Sequence, residues 1–208
     1  MKARTIAAML LVSAASLGGA QTRTFYDGTF RLSDWIQFDQ SSNSNSYHVV
    51  TQEPDGGNSG TFPDPFSRVL TVANDGIAIT AHLNPRWIIN PNKTPITSID
   101  FSIDVREYGS HFWANSLELA ALQDGVLYHA PVADLWGRKL QWTRVERTRT
   151  RQEFIGNGQA NLNFSGGGPI MLGFYNAAIS WDDGNYVDFD NLKLVVHTAL
   201  RKAPPAGG

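Results

Sequence analysis

The chain has 208 residues, with 17 Lys and Arg against 19 Asp and Glu, and its formal charge of −2 lacks the basic bias of a nucleic-acid binder. It contains no cysteine, so disulfides and thiol chemistry are excluded and stability has to come from burial alone. Eleven Phe, six Trp and six Tyr supply the apolar area, and the length suits one domain with a sizeable core.

Residues 1–20 follow the pattern of a secretory signal peptide. Lys2 and Arg4 form a positive start, residues 6–12 an apolar stretch, and Gly18, Gly19 and Ala20 a small-residue cleavage site before Gln21. Ser13 and Ser16 interrupt the apolar stretch, which falls short of the ~20 residues a spanning helix needs, so no membrane insertion of the mature chain is expected. The leader carries two basic residues and no acidic one, so its removal leaves a formal charge of −4. The pattern predicts a protein that is secreted or periplasmic, with one domain over 21–200 and a disordered tail over 201–208.

Beyond the leader, helical periodicity is nearly absent and period-two alternation recurs. Residues 40–46 (Gln-Ser-Ser-Asn-Ser-Asn-Ser) read as a polar loop and 55–67 as a long loop rich in Gly and Pro. Strands are predicted over 68–72, 76–82, 97–107, 116–122, 126–129, 140–149, 159–164, 170–175 and 187–197. The cleanest is 97–107, where Ile99, Phe101, Ile103 and Val105 share one face and Asp100, Ser102, Asp104 and Arg106 the other. Asp75-Gly76 and Asp124-Gly125 stand between such runs and predict hairpin turns, because both residue types tolerate positive φ. Roughly eight to ten strands with regular turns predict an all-β fold, an antiparallel β-sandwich of jelly-roll type.

Four pieces spaced along the chain carry a resemblance. They are Asp27-Gly28-Thr29-Phe30 with Trp35 soon after, Gly56-Gly57-Asn58-Ser59-Gly60, Phe164-Ser165-Gly166-Gly167-Gly168-Pro169-Ile170 with Gly173-Phe174, and the closing Asp188-Phe189-Asp190-Asn191. In that order they resemble bacterial exported jelly-roll domains, the group of carbohydrate-binding modules, galactose-binding-like domains and concanavalin-like lectins. The resemblance implies that the first and last strands lie side by side. It also implies a structural calcium ion held by Asp27 and Asp190, with Asp188 beside them, since calcium takes six to eight oxygen ligands. Asp27 and Asp190 also fit a role as turn formers whose carboxylates accept backbone N–H bonds, and the short Asp/Asn-Gly patterns favour it.

Sugars present apolar C–H faces ringed by hydroxyls, so their sites pair a flat ring with amide or carboxylate groups. Trp113, Trp136 and Trp181 each stand in a polar loop, the first with Tyr108, His111 and Asn115 and the last with Asp183, and these seven residues are the candidate ligand-binding set. Trp rings that cap the end of a sandwich would look the same in sequence. Trp35, Trp87 and Trp142 are flanked by strand-like apolar residues and are expected in the core. Arg144, Arg147, Arg149 and Arg151 suit either an acidic polysaccharide or a charged edge strand, with the edge favoured.

A glycanase of this group would need two carboxylates across the scissile bond. Ser116-Leu117-Glu118-Leu119-Ala120 offers one glutamate with no partner, and Asp100 and Asp104 read as a solvent face. No Gly-x-Ser-x-Gly elbow, phosphate loop or paired zinc-ligand histidines occur, and no catalytic residue is predicted. The reading is therefore an exported, non-catalytic glycan-binding module with a calcium ion and no organic cofactor. A polysaccharide-degrading enzyme and a protein-binding adhesion module are the alternatives.

Overall fold

The computed structural model describes residues 21–40, 47–59, 63–72, 76–108, 114–135, 140–156, 161–180 and 185–199. The strands are β1 (Gln21–Asp27), β2 (Ile36–Asp39), β3 (Tyr47–Glu53), β4 (Phe66–Val72), β5 (Gly76–Ile89), β6 (Ile96–Tyr108), β7 (Ala114–Gln123), β8 (Val126–Leu135), β9 (Thr143–Arg149), β10 (Ile155–Gly156), β11 (Ile170–Ser180) and β12 (Asn185–Thr198). They form two six-stranded antiparallel sheets. Sheet A runs β3-β4-β12-β6-β9, with β1 also on β12, and sheet B runs β10-β8-β7-β11-β5-β2. No helix among the described residues is long and apolar enough to cross a membrane.

The first and last strands do lie side by side. β12 is long enough to share one edge between two partners, with β4 beside residues 185–189 and β1 beside residues 192–198. Where the partners change over, Asn191 adopts a positive φ of 51° and the register of β12 on β6 shifts between Asp190 and Lys193. Asx side chains tolerate such a conformation, and the kink lets one strand serve both neighbours.

Alternation buries what the sequence predicts. Ile99, Phe101, Ile103 and Val105 of β6 meet Leu117, Leu119 and Ala121 of β7 and Leu172 and Phe174 of β11 between the sheets. Burial at ~25 cal/mol per Å² of apolar surface is what stabilises a chain without disulfides. Phe30, Trp35, Trp87 and Phe174 add an aromatic cluster, with Trp35 and Trp87 rings 5.2 Å apart edge to face. Trp142 departs from expectation. It lies outside the core, 5.6 Å from the Phe66 ring and 4.4 Å beneath the Arg106 guanidinium, because the stretch before β9 crosses the outer face of sheet A.

Asp124 and Gly125 take φ of 52° and 79° and close the β7–β8 hairpin as predicted. Asp75 lies outside the described residues. The expected strand over 159–164 is not one within its described part. Residues 161–164 are coil, although Leu162 and Phe164 are buried, because Gln123 takes the ladder's place. Its Oε1 accepts from Asn163 N at 2.8 Å and its Nε2 donates to the carbonyls of Asn163, Gly166 and Gly168. β1, β2 and β3 have no counterpart among the strands predicted by alternation, although the resemblance anticipates a first strand. Gly173 permits a close approach, since a Cβ there would sit 1.9 Å from the His82 carbonyl oxygen beside the irregularity that holds Pro85.

Candidate functional site: two outer faces and a loop end

The outer face of sheet A is built from charge. Asp188, fully buried, accepts from Arg68 Nε at 2.8 Å and from Arg106 Nη2 at 2.9 Å. Asp104 accepts from Arg144 Nη1 at 3.0 Å, from Asn58 Nδ2 at 2.9 Å and from Asn191 Nδ2 at 3.0 Å. It is therefore not the solvent-facing residue that alternation suggests, because the Gly56–Ser59 segment folds over it. Asp190 accepts from Asn58 N and Asn191 N, each at 2.7 Å. Burial raises its pKa, and the neighbouring Asp64 and Asp104 carboxylates add to this against the two N–H bonds. Gly57 is required here, since a Cβ would come within 2.8 Å of both Asp190 and Asp64.

The calcium ligands implied by resemblance are thus occupied with donors. Asp27 Oδ1 accepts from the N–H groups of Thr29 and Phe30, both at 2.8 Å, and its Oδ2 from the Trp35 indole at 3.0 Å. This is the turn-forming role, and it ties the β1 end to the aromatic cluster. Among the described residues no group of three or more His, Cys, Asp or Glu is arranged to hold a metal.

The outer face of sheet B is built from size. Register places Ile36, Leu83, Gly173, Ala120, His129 and Ile155 in one cross-strand row, and Phe38, Ala81, Tyr175, Glu118 and Pro131 in the next. In the first row Gly173 and Ala120 make a low centre, whereas the second carries Tyr175 and Glu118 there; Phe38 is 39% and Ile155 56% exposed at the rims, while Ala81, Leu83, Ala120 and Tyr175 are buried. Here His129 stacks on Tyr175, rings 4.9 Å apart and 10° from parallel. His129 Nδ1 meets Glu118 Oε2 at 2.5 Å, and Ser116 Oγ donates to Glu118 Oε1 at 2.9 Å. Burial pushes the Tyr175 hydroxyl up to about 12, and the Glu118 charge pushes it the same way.

Glu118 therefore has a partner that its own stretch of sequence does not reveal. The signal was the hairpin: counting outward from Asp124-Gly125 sets Ala120 against His129 and brings Glu118 diagonally beside that ring.

Of the candidate ligand-binding set, His111, Trp113, Trp136, Trp181 and Asp183 lie outside the described residues. Tyr108 ends β6 opposite Tyr186. Asn115 is buried at 2% exposure on the inner face of β7, and neither its Oδ1 nor its Nδ2 has a hydrogen-bond partner among the described residues. It faces the sandwich interior. The strand ends that flank the three tryptophan loops converge, because Tyr108 pairs with Tyr186, Ala114 with Ile179 and Asn115 with Leu135. Arg144, Arg147 and Arg149 lie on β9, an edge of sheet A, with Arg151 just past its end, and Arg144 and Arg149 are spent on Asp104 and Glu153.

No protein-family model and no curated protein matches the chain. Solved structures do. The family 30 carbohydrate-binding module of the Clostridium thermocellum cellulosomal cellulase Cel9D-Cel44B is similar over 82% of this chain and 96% of its own, at 11% identity and TM-score 0.53. The xylanase 10B CBM22-1–GH10 modules of the same organism, solved with xylohexaose, are similar over 83% of this chain at 11% identity and TM-score 0.50, and this chain spans 28% of theirs. It spans 20% of the bacteriophage CBA120 tailspike protein 4 enzymatically active domain, at 8% identity and TM-score 0.47. The chain has the β-sandwich fold that carbohydrate-binding modules share.

Proposed function

We propose that this protein is an exported, non-catalytic glycan-binding module whose ligand lies along the outer face of sheet B and the adjoining loop end. The carrying observation is the low Gly173–Ala120 spot on sheet B, beside a stacked Tyr175–His129 pair and the Glu118 and Ser116 oxygens. Rings against C–H faces and carboxylates against hydroxyls are the chemistry of saccharide recognition. Ser116 stands two residues into β7 and Asp134 next to the end of β8, so this face begins where the strand ends of the tryptophan loops converge. Trp113, Trp136 and Trp181 are assigned to extend the site there, with His111 and Asp183 as polar partners. The shared fold of modules such as that of Cel9D-Cel44B supports the reading, and the leader pattern supports export.

The test is a glycan-array and polysaccharide pull-down screen of the full chain, repeated with chelator and with Trp113→Ala, Trp181→Ala and Glu118→Gln. Binding that survives chelator and falls about tenfold or more in a variant of unchanged melting temperature is the expected result. Absence of binding to every glycan would overturn the proposal. Glycan release into solution by the wild-type chain would replace it with the enzymatic alternative.

A further inference from the structure

We infer that the exported chain begins with a pyroglutamyl residue, formed when Gln21 closes on its own side chain, and that this lactam protects β1 from aminopeptidases. The inference rests on the export part of the reading above and is independent of the glycan site.

Gly18-Gly19-Ala20 ends the leader pattern directly before Gln21, and Gln21 is also the first residue of β1, so a cut there frees a terminus without removing any of the strand. Gln21 pairs with Thr198 of β12, and the Thr198 hydroxyl donates to the Gln21 carbonyl oxygen at 3.0 Å. The carbonyl is thereby held, while the residue is exposed and its carboxamide has no hydrogen-bond partner among the described residues. Once the cut is made, amine and carboxamide are free to meet.

The surroundings favour that closure twice. Alternation from buried Phe25 puts Arg23 and Gln21 on the face of β1 turned toward sheet B, where Gln21, Arg23 and Lys93 line a groove of about 400 Å³ with no carboxylate in its wall. Arg23 Nη1 donates to the Ile88 carbonyl oxygen at 2.9 Å and Lys93 is exposed, and among the described residues neither has a carboxylate partner. An ammonium released at Gln21 would be one more cation in this groove. Neighbouring positive charge disfavours the ammonium form, so more of the terminus is the neutral amine that can attack. Its nitrogen bonds to Cδ of the same residue and the side-chain nitrogen leaves as ammonia, a step that needs no oxidant, reductant or second substrate. The lactam product is uncharged, so closure also removes the repulsion.

A lactam offers an aminopeptidase no α-amine. Trimming from this end would first strip residues paired with β12 and then reach Phe25, whose ring stacks on Trp87 with centroids 5.6 Å apart. The strand that closes the sandwich against its last strand is therefore the one the ring guards.

The full chain is expressed in an exporting bacterial host, and freshly recovered protein is read by intact mass and N-terminal sequencing, beside Gln21→Ala. Wild type is expected to be lighter by one ammonia than the chain that starts at Gln21, and blocked to sequencing until a pyroglutamyl peptidase exposes Thr22. Gln21→Ala is expected to carry an open amine and to be shortened by an aminopeptidase that leaves wild type intact. An open amine on Gln21, or a mature start at another residue, overturns the inference while export stands. Retention of residues 1–20 overturns the export reading and the inference with it. Equal resistance of Gln21→Ala to the aminopeptidase overturns the protective role.

Discussion

The two outer faces of the sandwich solve the same problem in opposite ways. Each sheet buries one side against the other and must then make its second side stable in water. Sheet A does so with ion pairs folded under a loop, where Asp188 and Asp104 answer three arginines. Sheet B does so with a second apolar cluster, in which Ile79, Leu122, Leu127 and Met171 pack against Ala81, Leu83, Ala120 and Tyr175, and with a His129–Glu118 pair beside it. A face held together by its own charges is costly to disturb, whereas a face packed on apolar contacts leaves the partly exposed His129 beside Glu118 as a polar group that a ligand can reach.

Substitutions should separate the faces. Asp188→Ala leaves Arg68 and Arg106 without their shared carboxylate in a buried setting, and a loss of about 3–5 kcal/mol is expected from urea unfolding. A loss under 1 kcal/mol would mean that the ionic layer is exposed in solution and the contrast between faces is false.

The second effect lies between the sheets and beside β3. Burial pushes the His82 imidazole down to about 3, with nearby His48 acting in the same direction, and it pushes His48 down to about 4 despite the Asp39 charge. Below pH 6.5 the unfolded chain binds protons that these folded histidines refuse. Stability is therefore full above that pH and falls as pH drops toward 4, by about 1.4 kcal/mol per pH unit for each residue. Chemical unfolding at a series of pH values should show this slope, and His82→Leu should remove about half of the histidine contribution. An unchanged slope would place His82 in contact with water.

The smallest stability effect is expected on sheet B. Glu118→Gln weakens a pair whose histidine is partly exposed, and about 1 kcal/mol or less should be lost. Its effect on glycan binding is expected to exceed its effect on stability. The reverse order would make the Glu118–His129 pair a structural feature and move the proposed site away from this face.

Much of the sandwich is legible in the amino-acid sequence. The alternation in β6 names its buried residues correctly, the Asp124-Gly125 turn sets the β7–β8 register, and Arg144 to Arg149 announce an edge strand. The settings of Trp142 and Asp104 are not legible there, and for one reason: each owes its surroundings to chain far away in sequence. Trp142 packs on Phe66 and Arg106, and Asp104 is covered by Asn58. The same holds for the coil at 161–164, whose strand-like pattern is overridden by the hydrogen bonds that Gln123 donates to Asn163, Gly166 and Gly168 and accepts from Asn163 N.

By itself the sequence determined which residues are apolar on a two-residue period, where positive φ is tolerated and how much aromatic area there is to bury, and these local properties are enough for an antiparallel sandwich. Only the tertiary structure decided that β12 also takes β4 and β6 as partners, and so which aspartates meet arginines and what packs on each outer face. Strand pairing joins residues more than a hundred positions apart, and a carboxylate's role depends on the donor it meets, a property no single stretch of chain contains.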